Sequence, residues 1–143
     1  MRAFLATPAL IPAALIPAAL MWAAPLHATT VTVHNRSGEP VRLSVDRSPS
    51  GYEAHLRPVM EPGVISSVRK PNVKVLMPHE SLPPAVFEIS YLDGNGRGCR
   101  FFAAPERHSA AFARVRPAAK PVRGGRCEAG LGSTIGDFVF TVR

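Results

Sequence analysis

Apolar side chains recur at every second position along most of this chain, in short runs broken by turn residues. Val31 and Val33 alternate with Thr30, Thr32 and His34; Val41, Leu43 and Val45 alternate with Arg42, Ser44 and Asp46. Val73, Val75 and Met77 repeat the pattern, as do Phe87, Ile89 and Tyr91, and finally Phe138, Phe140 and Val142. Successive side chains of a strand point to opposite faces, so this period of two describes strands with one face in a core. From Thr29 onward no stretch holds a helical period over three turns, and the 15 prolines of the chain oppose long helices.

Turn signals separate the runs. Residues 35–39, Asn-Arg-Ser-Gly-Glu, join the first two runs as a hairpin would, and Glu61-Pro62-Gly63 precedes a run from Val64 to Val68. Asp93-Gly94-Asn95-Gly96 supplies residues that accept positive φ, as tight hairpins require, and Cys99 to Phe102 reads as the return strand. Residues 47–63 read as loop with a short strand near 52–56, and residues 78–84 as loop. Residues 103–126, rich in Ala, Pro and Arg, read as loop around one strand at 111–115; Cys127 opens a short strand or loop. The fold expected is all-β: a small antiparallel β-sandwich, or a small barrel. An outer-membrane barrel fits poorly, because the segments are uneven and aromatic girdles are lacking.

The N-terminus predicts export. Met1-Arg2 is followed by no Lys, Arg, Asp or Glu until Arg36, and residues 3–26 are almost wholly apolar. Small residues follow at Ala23, Ala24 and Ala28. A charged start, an apolar middle and a small-residue exit make a secretory signal peptide over residues 1–28, leaving one β domain over 29–143. The run is long enough to serve instead as an uncleaved anchor, but Pro8, Pro12 and Pro17 interrupt it, so no transmembrane span is expected after processing. No Cys follows the run, which argues against a lipoprotein. The composition looks bacterial, and the compartment expected is periplasmic or secreted. Two cysteines, Cys99 and Cys127, allow a single disulfide, the usual fate of an even pair in an oxidising compartment.

Familiar catalytic machinery is missing from the sequence: there is no nucleophile elbow, phosphate loop, dinucleotide fingerprint or HExxH pair. His34, His55, His79 and His108 lie far apart, and His79-Glu80 on an extended chain would point in opposite directions. Asp93 to Gly98 resembles half of a calcium loop, but Arg97 holds a ligand position and Ala104 replaces the final Glu, so it reads as a hairpin turn. Asn35-Arg36-Ser37 matches a glycosylation sequon, a short and common pattern. Neither a cofactor nor a metal site is expected, and the reading leans away from an enzyme.

Charge is the one feature that points to a ligand. From Thr29 the chain carries 16 Lys and Arg against 10 Asp and Glu. Segment 97–126 alone holds eight cations against Glu106, so the rest of the domain is nearly neutral. Arg outnumbers Lys there by seven to one, and its planar fork suits phosphate and carboxylate. Arg114, Arg116, Lys120, Arg123 and Arg126 are the candidate anion-binding residues; the bland alternative is a solvated surface. The expected partner is an anionic lipid, lipopolysaccharide or a glycan. Nucleic acid is the weakest of the ligands, because an exported chain does not meet it and stacking side chains are few. The sequence names no protein partner. A binding or interaction protein is therefore the leading expectation. The alternatives are a structural subunit that polymerises by strand addition, with the C-terminal strand as its pairing edge, and a secreted hydrolase or enzyme inhibitor.

Overall fold

A computed structural model of the protein describes residues 29–47, 56–70, 75–78, 82, 85–107 and 109–143. The signal peptide expected over residues 1–28, most of the strand expected near 52–56, Val73, His55, His79, Glu80 and His108 lie outside them. The described residues are all-β and form the expected two-sheet sandwich. In chain order the strands are β1 (Thr29–Asn35), β2 (Val41–Arg47), β3 (Val59–Met60), β4 (Ile65–Lys70) and β5 (Leu76–Pro78). They continue with β6 (Phe87–Leu92), β7 (Gly98–Arg107), β8 (Phe112–Val122), β9 (Cys127–Leu131) and β10 (Asp137–Val142). One sheet has the order β4-β1-β10-β9, the other β3-β2-β6-β7-β8-β5.

The alternating apolar residues meet between the sheets. Val31, Val33, Phe138 and Phe140 from the first face Ile89, Tyr91, Phe101 and Val115 from the second, all fully buried. Four phenylalanines bridge the layers: Phe101 stacks on Phe140 with ring centroids 4.8 Å apart, and Phe87 contacts both Phe138 and Phe140 at 6.0 Å. Offset and edge-on pairs of this kind contribute beyond the area they bury. The buried Tyr91 hydroxyl donates to the Arg57 carbonyl at 2.7 Å, and burial raises its phenol pKa well above the ordinary value.

Asn35 ties the two sheets at one end. Its Nδ2 donates to the Met60 carbonyl at 2.8 Å and to the Glu39 carbonyl at 2.9 Å. Its Oδ1 accepts from the Ser37 backbone N–H at 3.0 Å and the Ser37 hydroxyl at 2.6 Å. The side chain is fully buried and its bonding capacity filled, so the sequon asparagine is a structural joint between β1 and β3.

The hairpin expected at residues 93–96 is present between β6 and β7. Asp93 Oδ1 accepts from the backbone N–H groups of Asn95 and Arg97 at 2.8 and 2.9 Å, and Gly96 takes φ +72°. At the first residue of β7 a side chain is sterically barred: a Cβ on Gly98 would collide with the Tyr91 carbonyl oxygen.

The hairpin expected across residues 35–39 does not form: β1 pairs with β4 and β10, and β2 with β3 and β6, so the connection held by Asn35 carries the chain from one sheet to the other. Two further expectations are corrected. Most of segment 103–126 is the longest hairpin of the fold, in register from Gly98↔Val122 to Arg107↔Ala113, and not a loop. Pro105, Pro117 and Pro121 concealed it. Val115 donates its N–H to the Val75 carbonyl on the β5 side, so the nitrogens of residues 117 and 121, in the same phase, also point away from β7. β5 pairs only with residues 112–114 of β8, so no strand among the described residues needs those two N–H groups. Pro105 likewise sits beyond the Phe87↔Ala103 end of the β6 ladder. Each proline occupies a ladder position where a missing donor is harmless. The second correction concerns the C-terminal strand, which is not a pairing edge: β10 lies between β1, with which it runs parallel, and β9.

Candidate anion-binding face

Cross-strand partners share a face, so the register identifies which charges stand together. On β7 the residues Cys99, Phe101 and Ala103 point into the core, leaving Arg100, Phe102, Ala104 and Glu106 outward. On β8, Ala113 and Val115 point inward and Arg114, Arg116, Ala118 and Lys120 outward. The ladder sets Arg100 opposite Lys120, Ala104 opposite Arg116 and Glu106 opposite Arg114. Three of the five residues singled out from the sequence therefore lie on one strand face. Arg123 and Arg126 do not join them: they are exposed in the β8–β9 connection, where Arg123 takes a positive φ of 47°.

Neighbouring strands extend the face. Arg42 pairs with Leu92, and Arg47 with Glu88, on the same outward side of β2 and β6. Sequence position puts both arginines outside the basic segment; the strand order β2-β6-β7-β8 brings them back to it. Six cationic side chains, Arg42, Arg47, Arg100, Arg114, Arg116 and Lys120, thus share the face with two carboxylates, Glu88 and Glu106. Arg100 Nη2 donates to Glu88 Oε2 at 2.8 Å, and Arg116 Nε approaches Glu106 Oε2 at 3.3 Å. Exposed pairs of this kind are worth at most about 1 kcal/mol, so they orient the guanidinium groups more than they stabilise the fold.

A cavity of about 220 Å3 opens on this face, lined by Ala85, Glu88, Arg100, Phe102 and Lys120. Lys120 Nζ stands 5.8 Å from the Phe102 ring centroid, in cation–π range. Phe102 and Arg100 were not among the candidate residues, although their i, i+2 spacing opposite Cys99, Phe101 and Ala103 carries the signal. A second cavity, of about 180 Å3, lies at the end of the sandwich among Glu39, Asp93, Arg97 and Arg143. Its charges are mixed and partly engaged, since the Asp93 carboxylate holds the turn and Arg143 pairs with Glu128 at 3.0 Å. Among the described residues no three His, Cys, Asp or Glu side chains come together as a metal site would need.

The disulfide lies at the base of the hairpin. Cys99 on β7 is bonded to Cys127, the first residue of β9, with a Cα–Cα distance of 5.7 Å. It fastens the six-stranded sheet to the four-stranded one and anchors the hairpin that carries the cations. A bond of this kind fits an oxidising compartment. No helix among the described residues is long and apolar enough to cross a membrane. Fold and site define a disulfide-linked β-sandwich with one cationic sheet face. Compared with known protein families, curated proteins and solved structures, the chain matches none.

Proposed function

We propose that this is an exported binding protein that holds a polyanion on the outward face of its six-stranded sheet. The observation that carries the reading is the gathering of Arg42, Arg47, Arg100, Arg114, Arg116 and Lys120 on one face, with two carboxylates beside them among the described residues. A surface with one dominant sign of charge attracts and retains ligands of the opposite sign. Export rests on the leader pattern of residues 1–28, and the disulfide supports it. β1 begins at Thr29, which is already buried and paired, so cleavage after Ala28 removes the leader and leaves the sandwich whole. Sequencing of the exported protein is expected to find an N-terminus within a few residues of Thr29; an N-terminus at Met1 contradicts the export reading.

Binding to heparin tests the ligand class. The affinity is expected to weaken by about tenfold or more between 0.01 M and 0.15 M salt, as the screening length contracts from about 30 Å to about 8 Å. No binding to any polyanion at the lower salt overturns the proposal. A second reading, an anionic lipid surface, is favoured by the apolar pair Leu76 and Phe112, 43% and 48% exposed, beside Arg114 on the same face. Such a pair next to basic groups suits the lipid interface. Binding to phosphatidylglycerol vesicles without binding to heparin selects this second reading.

A further inference from the structure

Within that face the structure points to a subsite, and we infer that the cavity over Phe102 takes one sugar ring bearing an exocyclic carboxylate or phosphate. The inference rests on the polyanion reading and names the unit of polymer it would recognise. At about 220 Å3 the cavity is smaller than the roughly 300–1,000 Å3 typical of drug-sized ligands, so it suits a single ring. Its lining provides three separate contacts for such a ring. Phe102, half-buried on the outward side of β7, offers an aromatic surface against which the C–H face of a pyranose packs.

Arg100 and Lys120, directly opposite each other across the β7–β8 ladder, supply two cations at the rim. The Glu88 bond engages Arg100 through Nη2, which fixes the plane of the guanidinium, and Arg has five N–H donors in all. Lys120 has no carboxylate partner among the described residues. An anion on the sugar therefore meets one oriented fork and one ammonium group that has no carboxylate partner among the described residues and stands 5.8 Å from the Phe102 ring centroid. Glu88, already neutralised by Arg100, can accept from a ring hydroxyl, a contact that a simple inorganic polyanion cannot make.

The ring contact separates this site from bulk charge. The protein, purified after expression of the full chain, is titrated with an oligomer of a hexuronic acid, with a hexose 6-phosphate, with linear polyphosphate and with a single-stranded oligonucleotide. The uronate oligomer is expected to bind, and Phe102→Leu, which keeps apolar volume but loses the flat ring, should weaken it about tenfold. Polyphosphate affinity should remain within about twofold in the same variant, because a ringless chain uses the cations alone. Phe102→Ala is the more drastic companion, and circular dichroism checks that each variant folds. Phe102-dependent binding of the hexose phosphate as well places the source among phosphorylated sugars; dependence for the uronate alone places it among acidic polysaccharides. Equal losses for uronate and polyphosphate, or no loss for either, overturn the sugar subsite while leaving the cationic face intact. Phe102-dependent binding of the oligonucleotide without the sugar acids overturns it in favour of base stacking. Failure of every polyanion to bind the wild-type protein removes the parent reading instead.

Discussion

Replacing Cys99 and Cys127 together with Ser is expected to lower the unfolding free energy by about 3–4 kcal/mol. This is the loop-closure contribution of a bond spanning 28 residues in the chain-entropy treatment. Two further consequences depend on where the bond lies. Cys99 is fully buried in the core, so the hydroxyl of a serine there enters an apolar site and adds a cost of its own. The bond also joins the two sheets beside the β8–β9 connection, so its loss should loosen the hairpin base first. Urea unfolding of both forms measures the first effect, and amide exchange along β7, β8 and β9 the second. A double variant as stable as the parent, with unchanged exchange, contradicts the role given to the bond.

Asn35→Ala is expected to cost about 2–4 kcal/mol, because it removes donors from two carbonyl groups, one of them fully enclosed, and each unsatisfied buried group costs about 1–3 kcal/mol. The carbonyls belong to Met60 on β3 and Glu39 in the β1–β2 turn, so the loss falls on the junction of the sheets. Asn35→Asp should be at least as damaging despite its near-identical shape. Its carboxylate would face two carbonyl oxygens with no proton to donate, and the charge would be buried. Replacing the neighbour Arg36, which is exposed, should change stability by less than about 0.5 kcal/mol. Thermal or urea unfolding of the three variants decides the matter; equal stability of Asn35→Ala and the Arg36 variant would show that the joint carries no weight.

The legible parts of this fold were local. Phe87, Ile89 and Tyr91 alternate strictly, and Asp93-Gly94-Asn95-Gly96 supplies its own turn chemistry, so that hairpin reads directly from the residues. The disulfide was legible because two cysteines permit only one pairing. The β7–β8 hairpin was not legible beyond residue 103, since Pro105, Pro117 and Pro121 argue against a strand until it is known which side of the ladder each nitrogen faces. That depends on where β5 and β6 stop, a long-range fact.

The same limit applies to the site. The basic segment was visible as composition, but its division between the face of β8 and the β8–β9 connection depends on strand register. Arg42 and Arg47 join the face only through the order of strands in the sheet. Asn35 looked like an ordinary turn residue, because nothing within the local sequence reveals that Met60 arrives above it.

The most direct test of the cationic face is a comparison of two variants that each remove four positive charges. One replaces Arg100, Arg114, Arg116 and Lys120 with Gln; the other replaces Arg36, Arg57, Arg69 and Arg97, which are exposed and lie elsewhere on the fold. Heparin affinity is measured for both in 0.01 M salt, where charges act over about 30 Å. The first variant is expected to lose binding and the second to keep it within about threefold, less than 1 kcal/mol. Equal losses in the two variants would make the effect one of bulk net charge and contradict a binding face.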